Sequence, residues 1–221
     1  MVEPAESGAG RTALLIVDVQ NDFTEGGALA VSGGAEVATR LSRLLIEAPE
    51  RYDLVLASRD WHDAGSDNGG HFSAEPDFTD TWPVHCVAGS AGAEYHPALS
   101  TDHVDVHVHK GQGEPAYSLF EGSVAAVTPA GGSELLAAAG GEELIGLSPA
   151  ALLERLGVQH VDVAGIATDH CVRASSLDAL GAGLRVRVLT DLVAGVDGQA
   201  STNALEELRA AGAELHDETT A

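Results

Sequence analysis

The apolar positions of this chain follow two alternating periods. Thr12 to Val17, Leu54 to Ala57 and Val158 to Ala164 are short, mostly apolar runs rich in branched side chains, as in strands buried on both faces. Val104, Val106 and Val108 form another strand by strict alternation, with Asp105, His107 and His109 on its other face. Leu184 to Leu189 and a short Ala213 to His216 segment follow near the end. Between the runs the period lengthens to that of a helix. Val37, Leu41, Leu44 and Leu45 share one face up to Pro49, and Leu152, Leu153 and Leu156 share another behind a Ser148-Pro149 start. Val172 to Leu180, closed by Gly181 and Gly183, and Thr202 to Ala211 complete the helices. Strands alternating with helices predict an α/β fold, a parallel sheet with helices on both faces. Gly122 to Gly146 breaks the pattern: rich in Ala and Gly, it reads as an insertion with a short helix over Ser133 to Ala139. These boundaries give a tail over residues 1–11 and one domain over residues 12–221.

The polar residues at the strand ends add chemistry to this frame. Asp18, Asp60, Lys110 and Cys171 each fall at or just past the C-terminal end of a different strand, the edge where open parallel sheets bind ligands. Cys171 lies where a strand turns into a helix. The N–H groups and macrodipole of a helix start predict a thiol shifted toward thiolate, and donors for an oxyanion. Asp18 in a low-dielectric site can take the thiol proton and return it to a leaving amine, with Lys110 holding the pair in register. Taken singly, Asp18 is equally a solvated turn carboxylate and Cys171 a small buried filler; their company favours chemistry. Asp60-Trp61-His62 sets a carboxylate and an imidazole on one side of an extended segment. His71 and His85 follow in the irregular stretch from Asp63 to Ser100, which is long enough to be functional. One Asp and three His suit a divalent transition metal, although with ten histidines in the chain some clustering is expected by chance, and surface loop histidines are the better account of the spacing taken alone.

Asp plus Glu number 34 against 11 Lys plus Arg, a formal net charge of −23 that repels phosphate backbones and anionic lipid. Neither nucleic-acid nor membrane binding is expected. The first residues carry no basic region, and Ala13 to Val17 is too short for a signal segment or a membrane span. The expectation is a cytoplasmic protein, monomer or homo-oligomer, with Cys86 and Cys171 reduced. Every basic residue but Lys110 is arginine. That is either a compositional bias or a place where a compact ammonium serves and a guanidinium fork does not.

The blocks Asp18-Val19-Gln20-Asn21-Asp22-Phe23, Asp60-Trp61-His62 with His71-Phe72-Ser73, Trp82-Pro83-Val84-His85-Cys86-Val87, His109-Lys110-Gly111 and Gly165-Ile166-Ala167-Thr168-Asp169-His170-Cys171-Val172 occur in this order. Together they resemble the nicotinamidase/pyrazinamidase enzymes of the isochorismatase-like cysteine hydrolases, from about Thr12 to about Val196. The resemblance implies a three-layer α/β/α fold with a six-stranded parallel sheet. It also implies hydrolysis of nicotinamide to nicotinate and ammonia, and of pyrazinamide to pyrazinoate. It matches the catalytic triad to Asp18, Lys110 and Cys171, and the ligands of one divalent metal ion (zinc, iron or manganese) to Asp60, His62, His71 and His85. It further implies an oxyanion hole of the Ala167 and Cys171 N–H groups, a cis bond between Ile166 and Ala167, and substrate contacts from Phe23, Trp82, Tyr117 and Ile166. Cys86 receives no role, and Gly122 to Gly146 departs from the family pattern. A ureido- or carbamoyl-amide hydrolase on the same fold, and a non-catalytic metal- or ligand-binding module, are the alternatives.

Overall fold

The computed structural model describes residues 10–128 and 133–217; residues 1–9 of the tail, residues 129–132 of the Gly122–Gly146 segment and residues 218–221 lie outside it. Seven strands make one sheet: β1 (Arg11–Val17), β2 (Leu54–Asp60), β3 (Val106–Lys110), β4 (Ser123–Val127), β5 (Val158–Ile166), β6 (Arg185–Ala194) and β7 (Glu214–His216). Their order is β4-β3-β2-β1-β5-β6-β7, and only the β3/β4 pair is antiparallel. The helices are α1 (Gly34–Glu47), α2 (Ser133–Ala138), α3 (Pro149–Arg155), α4 (Arg173–Gly181) and α5 (Gly198–Ala211).

The six parallel strands stand where the apolar runs put them, with Arg11 joining β1 rather than the tail. The seventh corrects the expected count. Chain reversal ahead of β4 is made by a capping box. Ser118 Oγ accepts from the Phe120 N–H at 3.1 Å, while Glu121 Oε2 accepts from the N–H groups of Tyr117 and Ser118 at 2.7 and 2.6 Å. The chain then runs back along β3 as an edge strand whose small side chains carry no clear period.

Period-two alternation divides the core. Leu14, Ile16, Val55, Ala57 and Ala164 face α1, whose Val37, Leu41 and Leu45 are buried against them. Leu15, Val17, Leu56, Val108 and Val163 face the other way, toward Leu152 and Leu153 of α3 and Leu208 of α5. Ser148 caps α3 by accepting from the Ala151 N–H, as Ser148-Pro149 predicts. Among the described residues no helix is long and apolar enough to cross a membrane.

Strand order leaves β1 in both directions, to β2 on one side and β5 on the other, which opens a crevice at their C-terminal ends. Register aligns what lies there: Asp60 pairs with Lys110, and Val17 with Gly165. Gly165 has φ 122°, and a Cβ on it would stand 2.1 Å from the Val17 carbonyl oxygen. Gly165→Ala is therefore expected to cost about 3 kcal/mol. At about 2–4 °C per kcal/mol this lowers Tm by about 6–12 °C, read by thermal unfolding; an unchanged Tm would refute the close β1–β5 approach.

Candidate active site

Three charged side chains and a thiol pack behind this edge. The wholly buried Lys110 ammonium lies 2.9 Å from Asp18 Oδ2, 3.2 Å from the Ala116 carbonyl oxygen and 3.8 Å from Cys171 Sγ, and it also donates to Asp60 Oδ1. Asp18 follows β1 in the left-handed region (φ 48°), which Asp tolerates better than most residues. Ser58 Oγ fixes its carboxylate, donating to Oδ1 at 2.7 Å.

These neighbours set the protonation of each group. Burial pushes the Asp18 carboxyl up, against the pull of Lys110 and with the push of Asp60. Burial would raise Asp60 as well, but the Lys110 ammonium holds it well below the usual carboxylate range. Lys110 itself is opposed by burial, yet Asp18, Asp60 and Cys171 keep it charged far above the ordinary lysine value. Burial also drives the Cys171 thiol well up, with Lys110 opposing and the two carboxylates adding to the rise. This reverses the shift toward thiolate expected from a helix start. Desolvation outweighs the macrodipole, and Cys171 sits not on a regular first turn but in a π-helical turn, Thr168–Val172, ahead of α4.

Beside the thiol lies a histidine set. One nitrogen from each of His62, His71 and His85 falls within 4.8 Å of the others. His62 Nδ1 meets the Gly111 carbonyl and His85 Nδ1 the Pro83 carbonyl, both at 2.8 Å. A carbonyl only accepts, so both rings carry their proton there and turn a bare Nε2 inward. Gly111 (φ 80°) makes its approach possible, since a Cβ would stand 2.6 Å from His62 Cε1. Asp60 Oδ2 lies 3.6 and 3.7 Å from the two Nε2 atoms, beyond hydrogen-bond reach. Buried His62 Nε2 and His71 Nδ1 have no partner. Burial and the two neighbouring imidazoles bring the His71 pKa down to about 4, so its ring is neutral at neutral pH. Three buried imidazole nitrogens close together, two of them within 4 Å of a carboxylate oxygen, fit a divalent metal ion.

A cavity of about 390 Å³ opens onto both groups. Asp60, His71, His85, Ala167 and Cys171 form its inner wall, and Phe23, Trp82, Tyr117 and His170 its sides. Trp82 Nε1 donates to the Tyr117 hydroxyl at 3.0 Å. Asp18, Lys110 and His62 lie wholly buried behind the wall. The Ile166–Ala167 peptide is cis.

An isochorismatase domain model matches residues 12–127 and 148–220. The chain belongs to the isochorismatase family. The unmatched interval falls almost entirely within Gly122 to Gly146, where the sequence departs from the family pattern. The chain is 46% identical over 203 residues to the nicotinamidase/pyrazinamidase of Mycobacterium tuberculosis, a match covering 92% of this chain and 97% of that one. Among solved structures it is similar to PnC1 from L. infantum in complex with nicotinate, with TM-score 0.74 and 30% identity over 95% of this chain and 93% of that one. It is also similar to the pyrazinamidase of Pyrococcus horikoshii in complex with zinc, with TM-score 0.71 and 31% identity over 94% and 99%.

Of the site residues expected for this isochorismatase-family chain, the fold gathers all but one side chain at the cavity or directly behind it. Ile166 is the exception: alternation along β5 sends it with Ala164 toward α1, where it packs by Gly34 in the core. Cys86 and Cys171 are both free thiols, and the Cys86 N–H donates to Asp22 Oδ2 at 2.7 Å on the loop that carries His85. Ser58, Gln20 and His170 escape the sequence pattern. A hydroxyl two places before Asp60 in an apolar strand is the available signal for Ser58; a glutamine between two aspartates offers none. Gln20 Nε2 donates to the carbonyls of Asp60 and Ala93, both at 2.9 Å, and its Oε1 accepts from the Asp60 N–H at 2.8 Å. Gln20→Leu strips all three partners. At about 1–3 kcal/mol for each buried group left unpaired, a loss of at least ~3 kcal/mol is expected. Thermal unfolding should show Tm falling by roughly 6 °C or more; a fall under ~2 °C would mean that water replaces the amide.

Proposed function

We propose that the chain hydrolyses nicotinamide to nicotinate and ammonia, and pyrazinamide likewise, through a thioester on Cys171. The observation that carries this reading is the meeting, at one cavity, of a thiol–carboxylate–ammonium cluster with a histidine set fit for a divalent metal ion. The mycobacterial relative's name, the nicotinate in the L. infantum structure and the zinc in the P. horikoshii one support it.

Cys171 rests as a thiol, because burial opposes its anion. Asp18, with its raised pKa, takes the proton as the sulfur attacks the carboxamide carbon. The carbonyl electron pair moves onto oxygen, which the backbone N–H groups of Ala167 and Cys171 hold. When that pair returns, the carbon–nitrogen bond breaks, and Asp18 gives its proton to the departing nitrogen, which leaves as ammonia. Asp18 next takes one proton from the water that attacks the thioester; the carbon–sulfur bond breaks, that proton passes from Asp18 to the sulfur, and the acid product loses the water's other proton to solvent and leaves as nicotinate. Lys110 remains an ammonium throughout and fixes Asp18 and Cys171 relative to each other. Asp60, His62, His71 and His85 would hold a divalent ion, which when bound supplies a Lewis-acid contact for the ring nitrogen. Phe23, Trp82 and Tyr117 flank the ring.

Cys171→Ala should abolish ammonia release while leaving nicotinamide binding and metal content largely intact, and Cys86→Ala should keep most activity. The reverse pattern in an ammonia assay would reject Cys171 as nucleophile. Benzamide has the same amide and nearly the same shape, but no ring nitrogen. A site built on a polar contact rejects the analogue lacking it, here by roughly 10²-fold or more in kcat/KM. Removal of the metal by a chelator should remove both activity and this discrimination. Equal rates for the two amides, indifferent to chelation, would sink the nicotinamidase reading in favour of a ureido- or carbamoyl-amide hydrolase.

A further inference from the structure

The chemistry above uses only the inner end of the cavity, where Asp60, His85 and Cys171 are at most 7% exposed. Its outer end is built from Phe78 and Val196, which are 59% and 56% exposed. Core packing does not account for side chains this open. Both are nonetheless fixed, each by a carboxylate on a separate loop. Asp77 Oδ1 accepts from the N–H groups of Thr79, Asp80 and Thr81, all at 2.9 Å, closing a turn in which Phe78 adopts φ 57°. The Phe78 ring meets the Trp82 ring edge-on at 6.2 Å. Across the mouth, Asp169 Oδ1 accepts from the Val196 N–H at 3.0 Å and its Oδ2 from the Asp197 N–H at 2.9 Å. Asp169 belongs to the same π-helical turn as Cys171, so the position of Val196 is tied to that of the nucleophile. Two loops distant in sequence thus each present an ordered apolar group to the same opening.

We propose that Phe78 and Val196 form an outer subsite for a small alkyl group carried on the ring of the carboxamide substrate. The inference rests on the nicotinamide reading, in which the ring is held at two atoms. Its nitrogen faces the histidine set, and its carboxamide-bearing carbon faces Cys171. In a pyridine carboxamide of this type those two atoms flank a single carbon. The ring carbon opposite that one points away from both anchors, toward the mouth. An ethyl group there, as in 5-ethylnicotinamide, reaches the two exposed side chains and disturbs neither anchor. The volume, about 390 Å³, lies within the range of sites that enclose ligands larger than a single ring.

The test compares nicotinamide with 5-ethylnicotinamide as substrates of the wild type, Phe78→Ser, Val196→Ser and Ile46→Ser. Ile46 is as exposed as the mouth residues, at 61%, but lies on α1 outside the cavity lining, so its variant reports any general effect of losing a surface apolar group. The kcat/KM ratio of the ethyl compound to nicotinamide should fall about fivefold in each mouth variant. That is less than the ~10-fold or more of a fully enclosed methylene, because the mouth is half open. Nicotinamide turnover and the ratio should both be unchanged in Ile46→Ser, and in the mouth variants the ratio, not the absolute rate, is the readout. Calorimetry in a Cys171→Ala background supplies a readout without turnover: Phe78→Ser should weaken 5-ethylnicotinamide about fivefold more than it weakens nicotinamide. A ratio that is unmoved in both mouth variants, or a wild type that hydrolyses nicotinamide but excludes the ethyl compound, overturns the subsite and leaves the function standing. A wild type that does not hydrolyse nicotinamide overturns both, since the two-point anchor is then gone.

Discussion

Lys110 keeps its charge with none of its surface exposed, so the protein must replace the water that the ammonium has lost. Asp18, Asp60 and the Ala116 carbonyl do this, and the thiol of Cys171 closes the shell. Two carboxylates around one ammonium leave an excess of negative charge in a low-dielectric place. The site meets that excess twice. At Asp18 burial raises the carboxyl, which makes it a base that accepts a proton readily. At Asp60 the carboxylate stays ionised and turns its second oxygen toward bare imidazole nitrogens, which calls for a cation. Proton chemistry and metal affinity are therefore two responses to one buried charge.

The sheet makes this arrangement possible by register. Asp60 and Lys110 end adjacent parallel strands opposite each other, and β1 delivers Asp18 between β2 and the β5 turn. A parallel ladder brings three strand ends to one level without any loop having to hold them. The histidines, by contrast, come from irregular chain, and two of them, His62 and His85, are aimed through the backbone carbonyls of Gly111 and Pro83.

Much of this was legible in the residues. Apolar runs located six strands, and polar residues at their ends located the edge where Asp18, Asp60, Lys110 and Cys171 meet. Edge strand β4 was not legible, because Ser123-Val124-Ala125-Ala126-Val127 has neither alternation nor bulk; its sign lay upstream, in the Ser118-to-Glu121 capping box. The thiol was misjudged for a different reason. A macrodipole can be read from a strand-to-helix junction, but the depth of burial that overrides it depends on contacts made across the whole sheet. Ile166, a substrate contact by resemblance alone, has its side chain in the core facing α1 and not in the cavity lining, a direction set by strand alternation. Gln20 and Ser58 act through hydrogen bonds to groups 40 positions away, which no local pattern encodes.

The Gln20 amide has one further consequence. It grips the Asp60 peptide from both sides, and it belongs to the segment that carries Asp18 out of β1. The two carboxylates cannot then loosen one at a time: freeing the end of β2 also detaches the segment after β1. Opening of this region becomes a concerted event, and the Asp60 amide hydrogen should exchange with solvent only through excursions as rare as those of the central strands. Sites that must admit a substrate are commonly drawn from the softer parts of a fold. Here the charged interior shares the rigidity of the core instead.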